Sequence, residues 1–215
     1  DVGIALDGDG DRVMMADAEG NLVDGDDMLY IIASARKAEG TFHGGVVGTL
    51  MSNFGLEQAL ARLEIPFVRA DVGDRYVHQA LLSRGWLLGG EASGHVLALD
   101  RASTGDGMVS ALIVLELMAM SGKSLKELKA GMEKYPQTMI NVPVSPAGKD
   151  KLDQSKRLQL AVAQVERELA GTGRVILRPS GTEPLVRVTL EGADQELVQR
   201  LTEQLADTVR SELGD

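Results

Sequence analysis

The stretch GVVGTLMSNFGLEQALARLEIPFVRADVGDRYVHQALLSRGWLL, residues 45–88, changes its hydrophobic period four times. Gly45 to Leu50 is an apolar run of strand length, and Phe54 to Leu63 repeats apolar residues at helical spacing. Pro66 to Ala70 reads as a strand, a helix capped by Asp74 runs to about Arg84, and Trp86 to Leu88 is again a strand. Short strands alternating with helices predict βαβ units and a doubly wound α/β sheet. Upstream, Asp26 to Ala38 reads as a helix with an acidic first turn and Gly40 beyond its end. Downstream, a strand follows near His95 to Leu99, and Asp106 to Met120 reads as a largely buried helix. Ser124-Leu125-Lys126-Glu127 is a capping box opening another helix.

The two ends follow other rhythms. Residues 1 to 23 read as two strands joined by a loop, then a turn at Glu19-Gly20-Asn21. Beyond Tyr135-Pro136, Thr138 to Val144 alternates as a strand, and Ser145-Pro146 opens a helix running to about Ala170. Gly173 to Leu177 and Leu185 to Leu190 read as strands, and Asp194 to Leu213 as an amphipathic helix. The expected fold is therefore a mixed α/β domain followed by a small α+β domain of order β-α-β-β-α. The chain opens on Asp1 with a strand almost at once, so it reads as the C-terminal part of something longer.

Composition narrows the function classes. The 215 residues are 44% hydrophobic and 25% charged, as in globular proteins, and carry a formal net charge of −10. That charge argues against nucleic acid or an anionic membrane as partner, and 3% aromatics leave few platforms for base stacking. With no cysteine, disulfides and thiol catalysis are excluded, which fits a cytoplasmic location. The longest apolar run, Met108 to Met120, contains Ser110 and Glu116 and is too short to span a bilayer. No signal peptide is visible.

Asp7-Gly8-Asp9-Gly10-Asp11-Arg12 carries the most chemistry. Three carboxylates at alternate positions repel one another unless a cation sits among them, and the glycines let the backbone turn them toward one point. The plain alternative is an acidic hairpin turn. An EF-hand loop needs Gly at its sixth position and Glu at its twelfth, where this chain has Arg12 and Ala18. In an aspartyl phosphatase, Asp7 would be the nucleophile, but Asp11 stands where Thr or Val belongs. Three Asp ligands to one Mg²⁺, with Arg12 as an anion clamp, account for every residue of the run.

Three further clusters suit phosphate and sugar chemistry. Arg178-Pro179-Ser180-Gly181-Thr182-Glu183-Pro184 offers a guanidinium, two hydroxyls and exposed backbone N–H groups, as a phosphate requires, or else is a polar hairpin. Arg187 beyond it fits a solvent-facing strand position equally well. Gly89-Gly90-Glu91-Ala92-Ser93-Gly94-His95 combines close backbone approach with the acceptor and donor mix of sugar binding, and His95 can stabilise an anion or move a proton. His43 and His78 read as structural. Asp71-Val72-Gly73-Asp74-Arg75 lies where a strand meets a helix, so Arg75 faces either a cleft or solvent. Thr104-Gly105-Asp106-Gly107 reads as a turn without chemistry.

In this order, the clusters DGDGDR (7–12), GEASGH (90–95) and RPSGTEP (178–184) resemble the α-D-phosphohexomutase family, and the resemblance covers essentially the whole chain. VGTLMSNFGLE (47–57), VGDRYV (72–77), TGDG (104–107) and LRPSGTEPLVRV (177–188) are most similar to members whose substrate is a hexosamine phosphate. The family implies four domains. Residues 1–24 would end the second, with its metal loop; 25–136 would be the α/β sugar-binding domain; and 137–215 the α+β phosphate-binding domain. The missing N-terminal part would carry a phosphorylated serine, without which the chain should be inactive alone.

The resemblance also implies an isomerase that moves a phosphoryl group through a sugar bisphosphate, in amino-sugar metabolism leading to UDP-N-acetylglucosamine and peptidoglycan. By matching motif, Asp7, Asp9 and Asp11 would bind Mg²⁺, and Arg12 and His95 would serve the reacting end. Glu91, Ser93 and Gly94 would hold the sugar, and Arg178, Ser180, Gly181 and Thr182 the phosphate that does not react. Mannose or glucose phosphates, a sugar phosphatase, and a non-catalytic binding module remain as alternatives. Oligomeric state is not legible.

Overall fold

The structure, a computed structural model, describes residues 1–214, apart from the side chains at 146 and 147. The chain divides into two compact units, Asp1–Lys134 and Tyr135–Asp215.

The first unit opens with a small antiparallel sheet of β1 (Gly3–Leu6), β2 (Val13–Ala16) and β3 (Leu22–Val23). Leu6 pairs with Val13, so the DGDGDR run closes the first hairpin. Strand alternation turns Val13 and Met15 into the main core, where Val23 joins them. The next turn is built on Asp17, whose carboxylate accepts the N–H groups of Glu19 and Asn21.

Helix α1 (Gly25–Ala38) follows a capping box between Asp24 and Asp27. Then come β4 (Val46–Thr49), α2 (Phe54–Arg62), β5 (Phe67–Ala70), α3 (Asp74–Arg84), β6 (Leu88–Gly90), β7 (Val96–Ala98), α4 (Gly107–Ser121) and α5 (Leu125–Lys129). The sheet order is β5-β4-β6-β7, with β4 parallel to β5 and β6, and β7 antiparallel to β6. Neighbouring residues on β4 serve opposite faces. Val46 joins the core formed with α1, α2 and α4, whereas Val47 packs with Val77 and Leu81 of α3. Helices therefore cover both faces, as the alternating sequence requires.

Three local expectations give way. Strand β6 begins at Leu88 and not at Trp86, whose indole instead fills the space beside Gly44 and Gly45 where a side chain would collide with it. Helix α3 is preceded by Gly73, at φ +127°, with no side-chain cap, so Asp74 is its first residue rather than its cap. Helix α4 is not largely buried: Met108, Leu112 and Met120 are exposed while Ile113, Val114 and Leu117 face the core.

The second unit contains β8 (Gln137–Pro143), α6 (Pro146–Lys151), a 3₁₀ turn (Leu152–Gln154), α7 (Lys156–Leu169), β9 (Gly173–Pro179), β10 (Leu185–Gly192) and α8 (Gln195–Leu213). Its sheet has the order β8-β10-β9, antiparallel throughout. The single helix expected from Ser145 to Ala170 is broken, because the Ser155 hydroxyl takes the N–H of Leu158 and starts α7 afresh. Val198, Leu201, Leu205 and Val209 line one face of α8 and bury against Val186, Val188 and Leu190 of β10. Each such side chain contributes roughly 1.5–3 kcal/mol.

Candidate functional site

In the first unit, the residues of the 7–12 loop act on their own backbone. The Asp7 carboxylate accepts the N–H groups of Gly10 (3.1 Å) and Arg12 (3.3 Å), and Gly10 takes φ +73°. That turn brings Asp7, Asp9 and Asp11 together, with one carboxylate oxygen from each within 4.8 Å of the others. Arg12 Nε stands 3.9 Å from both Asp7 and Asp11. Desolvation pushes the Asp7 carboxyl up, but the Arg12 N–H, the Asp11 side chain, the Arg12 charge and the Gly10 N–H outweigh it and hold it below its usual value.

The loop is stitched to its surroundings by main-chain hydrogen bonds. Val13 N–H donates to Gly94 O (3.1 Å), and Gly107 N–H to Gly10 O (2.9 Å). The segment 91–95 is a tight turn between β6 and β7, with Gly94 N–H on Glu91 O (3.0 Å) and Glu91 N–H on His95 O (2.9 Å). Gly94 takes φ +93°, and a Cβ there would strike the Val13 carbonyl, so only glycine fits. Gly25 N–H donates to Ala92 O (3.2 Å), tying the start of α1 to the same turn. The 91–95 turn lies at the carboxyl end of β6, where open α/β sheets bind ligands.

His95 is buried, and its Nδ1 lies 3.1 Å from Asp11 Oδ2. A carboxylate offers only acceptors, so this contact places the proton on Nδ1. Nε2 has no hydrogen-bond partner and stands 3.9 Å from Asp74 Oδ2. Glu91 reaches the strand β5 exit, accepting the N–H of Gly73 at 3.0 Å. Ser93 is exposed at the tip of the turn. Arg75 is exposed beside the Tyr76 ring, 6.0 Å from its centroid. Asp7, Asp9, Asp11, Arg12 and His95 thus form one cluster, with Glu91 and Gly94 on the adjoining turn.

The 104–107 turn plays a part its sequence concealed. A Cβ on Gly105 would overlap the His95 imidazole, so this glycine makes room for the ring. A second residue unseen in sequence is Asp26. It is 1% exposed, accepts the N–H of Asn53 at 2.7 Å, and so holds the start of α2 beyond β4. Burial pushes its carboxyl up to about 7, the Asn53 N–H opposes this, the charge of Asp24 adds to it, and Ser52 and Lys134 oppose it. Neither signal is local in sequence, since His95 and Asn53 lie far along the chain from the residues they meet.

In the second unit, residues 180–184 join β9 to β10. Ser180 is buried, its hydroxyl accepts the N–H of Glu183 (3.3 Å), and its carbonyl takes Lys149 Nζ at 2.7 Å. Gly181 and Thr182 are exposed on the loop. Arg178 pairs across the ladder with Arg187, so two guanidinium-bearing residues stand directly opposite one another. Like charges in that position are unfavourable unless an anion is shared; Glu183 supplies one to Arg187 at 3.1 Å. Lys149 and Arg187 were not assigned to the loop from sequence, because their placement depends on folding α6 and β10 against it.

Residues 24–135 match the family model described as phosphoglucomutase/phosphomannomutase, alpha/beta/alpha domain III, and residues 139–208 match the C-terminal domain of the same family. The chain is 54% identical over 211 residues to a phosphoglucosamine mutase of Thiobacillus denitrificans, covering 98% of this chain and 46% of that protein. It is 56% identical over 209 residues to the phosphoglucosamine mutase of Methylococcus capsulatus, covering 97% and 46%. The chain spans about half the length of the curated relatives it matches. A crystal structure of Aspergillus fumigatus N-acetylphosphoglucosamine mutase with GlcNAc-6P and magnesium superposes with a TM-score of 0.80 at 24% identity, covering 97% of this chain and 52% of that one. Among the described residues, no helix is long and apolar enough to cross a membrane. With one family model spanning more than half of its residues and a second following in order, the chain belongs to the phosphoglucomutase/phosphomannomutase family.

Proposed function

We propose that this chain is the C-terminal part of a phosphoglucosamine mutase, an isomerase that interconverts glucosamine 6-phosphate and glucosamine 1-phosphate. The observation that carries the reading is the gathering of Asp7, Asp9 and Asp11 within 4.8 Å beside Arg12 and His95. Relatives named phosphoglucosamine mutase match nearly the whole chain at 54–56% identity. In this reading residues 1–24 end a preceding domain, 25–136 bind the sugar, and 137–215 bind phosphate.

The donor set fits a divalent cation. All three side chains offer oxygen, which suits Mg²⁺ rather than a thiophilic metal. Bound there, Mg²⁺ supplies positive charge that polarises a phosphoryl oxygen. Arg12 adds hydrogen-bond donors to the phosphoryl group in transfer. His95 holds Asp11 through Nδ1 and presents Nε2 to the reacting end. Glu91, Ser93 and Gly94 orient the sugar hydroxyls. Arg178, Ser180, Gly181 and Thr182 hold the phosphate that is not transferred, and Arg187 shares its charge. Anchoring one end converts binding energy into positioning of the other. The phosphoryl-donating serine belongs to the preceding part of the protein, so this chain binds substrate without turning it over.

³¹P NMR of glucosamine 6-phosphate with the chain and Mg²⁺, seeded with a trace of the sugar bisphosphate, tests this. Broadening or shift of the substrate line without new peaks is expected. An unperturbed line refutes the reading, release of inorganic phosphate points to a hydrolase, and a growing 1-phosphate line refutes the need for the missing part.

A further inference from the structure

Asp74 is a carboxylate without a cation. It opens α3 but does not cap it, and its Oδ1 takes only the neighbouring Arg75 N–H at 2.7 Å. Among the described residues no Lys or Arg pairs with it, and its one ionic neighbour is His95, whose Nε2 stands 3.9 Å from Oδ2, beyond hydrogen-bond reach. His95 is 4% exposed and its Nε2 has no partner, whereas the Asp74 side chain is 61% exposed. A buried ring nitrogen and an open carboxylate therefore stand side by side without a hydrogen bond between them. The backbone just before Asp74 is fixed by the carboxylate of the 91–95 turn, since Glu91 Oε1 accepts the Gly73 N–H. A sugar held by Glu91 would thus have Asp74 as its next neighbour.

The two carboxylates differ in what they are free to recognise. A hydroxyl donates one hydrogen bond and is served by many groups. An ammonium has three donors and no acceptor, and is best met by a carboxylate that no other cation neutralises. We infer that Asp74 is a specificity-determining residue that receives the protonated amino group of a hexosamine phosphate, while Glu91 serves the hydroxyls. This rests on the hexosamine phosphate reading above and names the group that separates such a substrate from glucose phosphate and from its N-acetyl counterpart.

The test is a calorimetric titration of the chain, in Mg²⁺, with glucosamine 6-phosphate, glucose 6-phosphate and N-acetylglucosamine 6-phosphate. The unaltered chain should favour the free amine by about tenfold, the usual scale of a hydrogen bond to a charged group. Asp74→Asn should remove that preference and leave the other two affinities within about twofold, and Asp74→Glu should restore part of it. Raising the pH until the amine loses its proton should erase the preference in the unaltered chain and change nothing in Asp74→Asn. Equal losses for all three sugars in Asp74→Asn, or no loss for any, would overturn the assignment. Equal affinities in the unaltered chain overturn this inference alone. Absence of binding to all three overturns the functional reading along with it.

Discussion

Asp26 should make the first unit weaken as pH rises from about 4 to about 7. Its carboxyl is buried against Asn53 N–H, and its value in the folded chain is pushed up to about 7 from an ordinary 3.8. A raised carboxyl favours the protonated form in the folded state, so the unfolded chain gives up this proton first. Its favourable share of stability is complete below about pH 4 and is lost progressively as pH climbs to about 7. A difference of roughly three units at 1.36 kcal/mol each amounts to about 4 kcal/mol, an upper bound for the single group. Asp26→Asn keeps an acceptor for the Asn53 N–H and removes the charge. The charged neighbours Asp24, Asp27 and Lys134 are common to both proteins. Trp86 is the one tryptophan and lies in this unit, so its fluorescence reports the unit's unfolding in urea. The variant and the parent should have similar midpoints at pH 4, and the variant should be the more stable at pH 8. Parallel midpoints across that range would refute the placement of a neutral carboxyl in the core.

Other consequences are equally accessible. His95→Ala should weaken Mg²⁺ binding by about tenfold in a calorimetric titration, as expected when the partner that orients a ligand carboxylate is lost; unchanged affinity would separate His95 from the cation. Arg178→Ala should weaken binding of inorganic phosphate by about tenfold, and Arg178→Lys should recover only part of it, because a lysine lacks the planar fork. Gly105→Ala places a methyl in the His95 ring and should cost about 1–3 kcal/mol, read from the thermal melt by Trp86 fluorescence. An unshifted melt would show that the ring moves freely.

What was legible in the sequence was local. The DGDGDR run declared itself because three carboxylates and two glycines within six residues have few uses, and the residues that shape the loop, Asp7 and Gly10, are its own members. Strand and helix periods over residues 45–88 gave the alternating layers. The cap assigned to Asp74 went wrong for a long-range reason: Glu91, far along the chain, takes the Gly73 N–H and sets the turn. The break at Ser155 was hidden because the residues around it all suit a helix, and only the hydroxyl's contact with Leu158, together with a second one to Glu212 at 2.9 Å, shows that the chain restarts there. Strand β7 was expected as a strand, but its antiparallel pairing depends on the tight turn at 91–94.

The same main-chain bonds explain how three carboxylates stand so close in a folded chain. Bringing them together costs electrostatic energy that no side chain fully offsets, since Arg12 remains 3.9 Å from its two neighbours. The loop is held instead at both margins, by Gly107 N–H on Gly10 O and by Val13 N–H on Gly94 O, and Val13 itself is anchored in the core. Repulsion is therefore opposed both by the N–H groups of Gly10 and Arg12 on Asp7 and by these bonds at the margins, and in the proposed reading the carboxylates are arranged in advance for a cation, which lowers the ordering cost of binding. It also means that the 7–12 loop and the 91–95 turn are bonded to one another. A Cβ on Gly94 would strike the Val13 carbonyl, so an added methyl there should displace the proposed cation ligands and the proposed sugar ligands together.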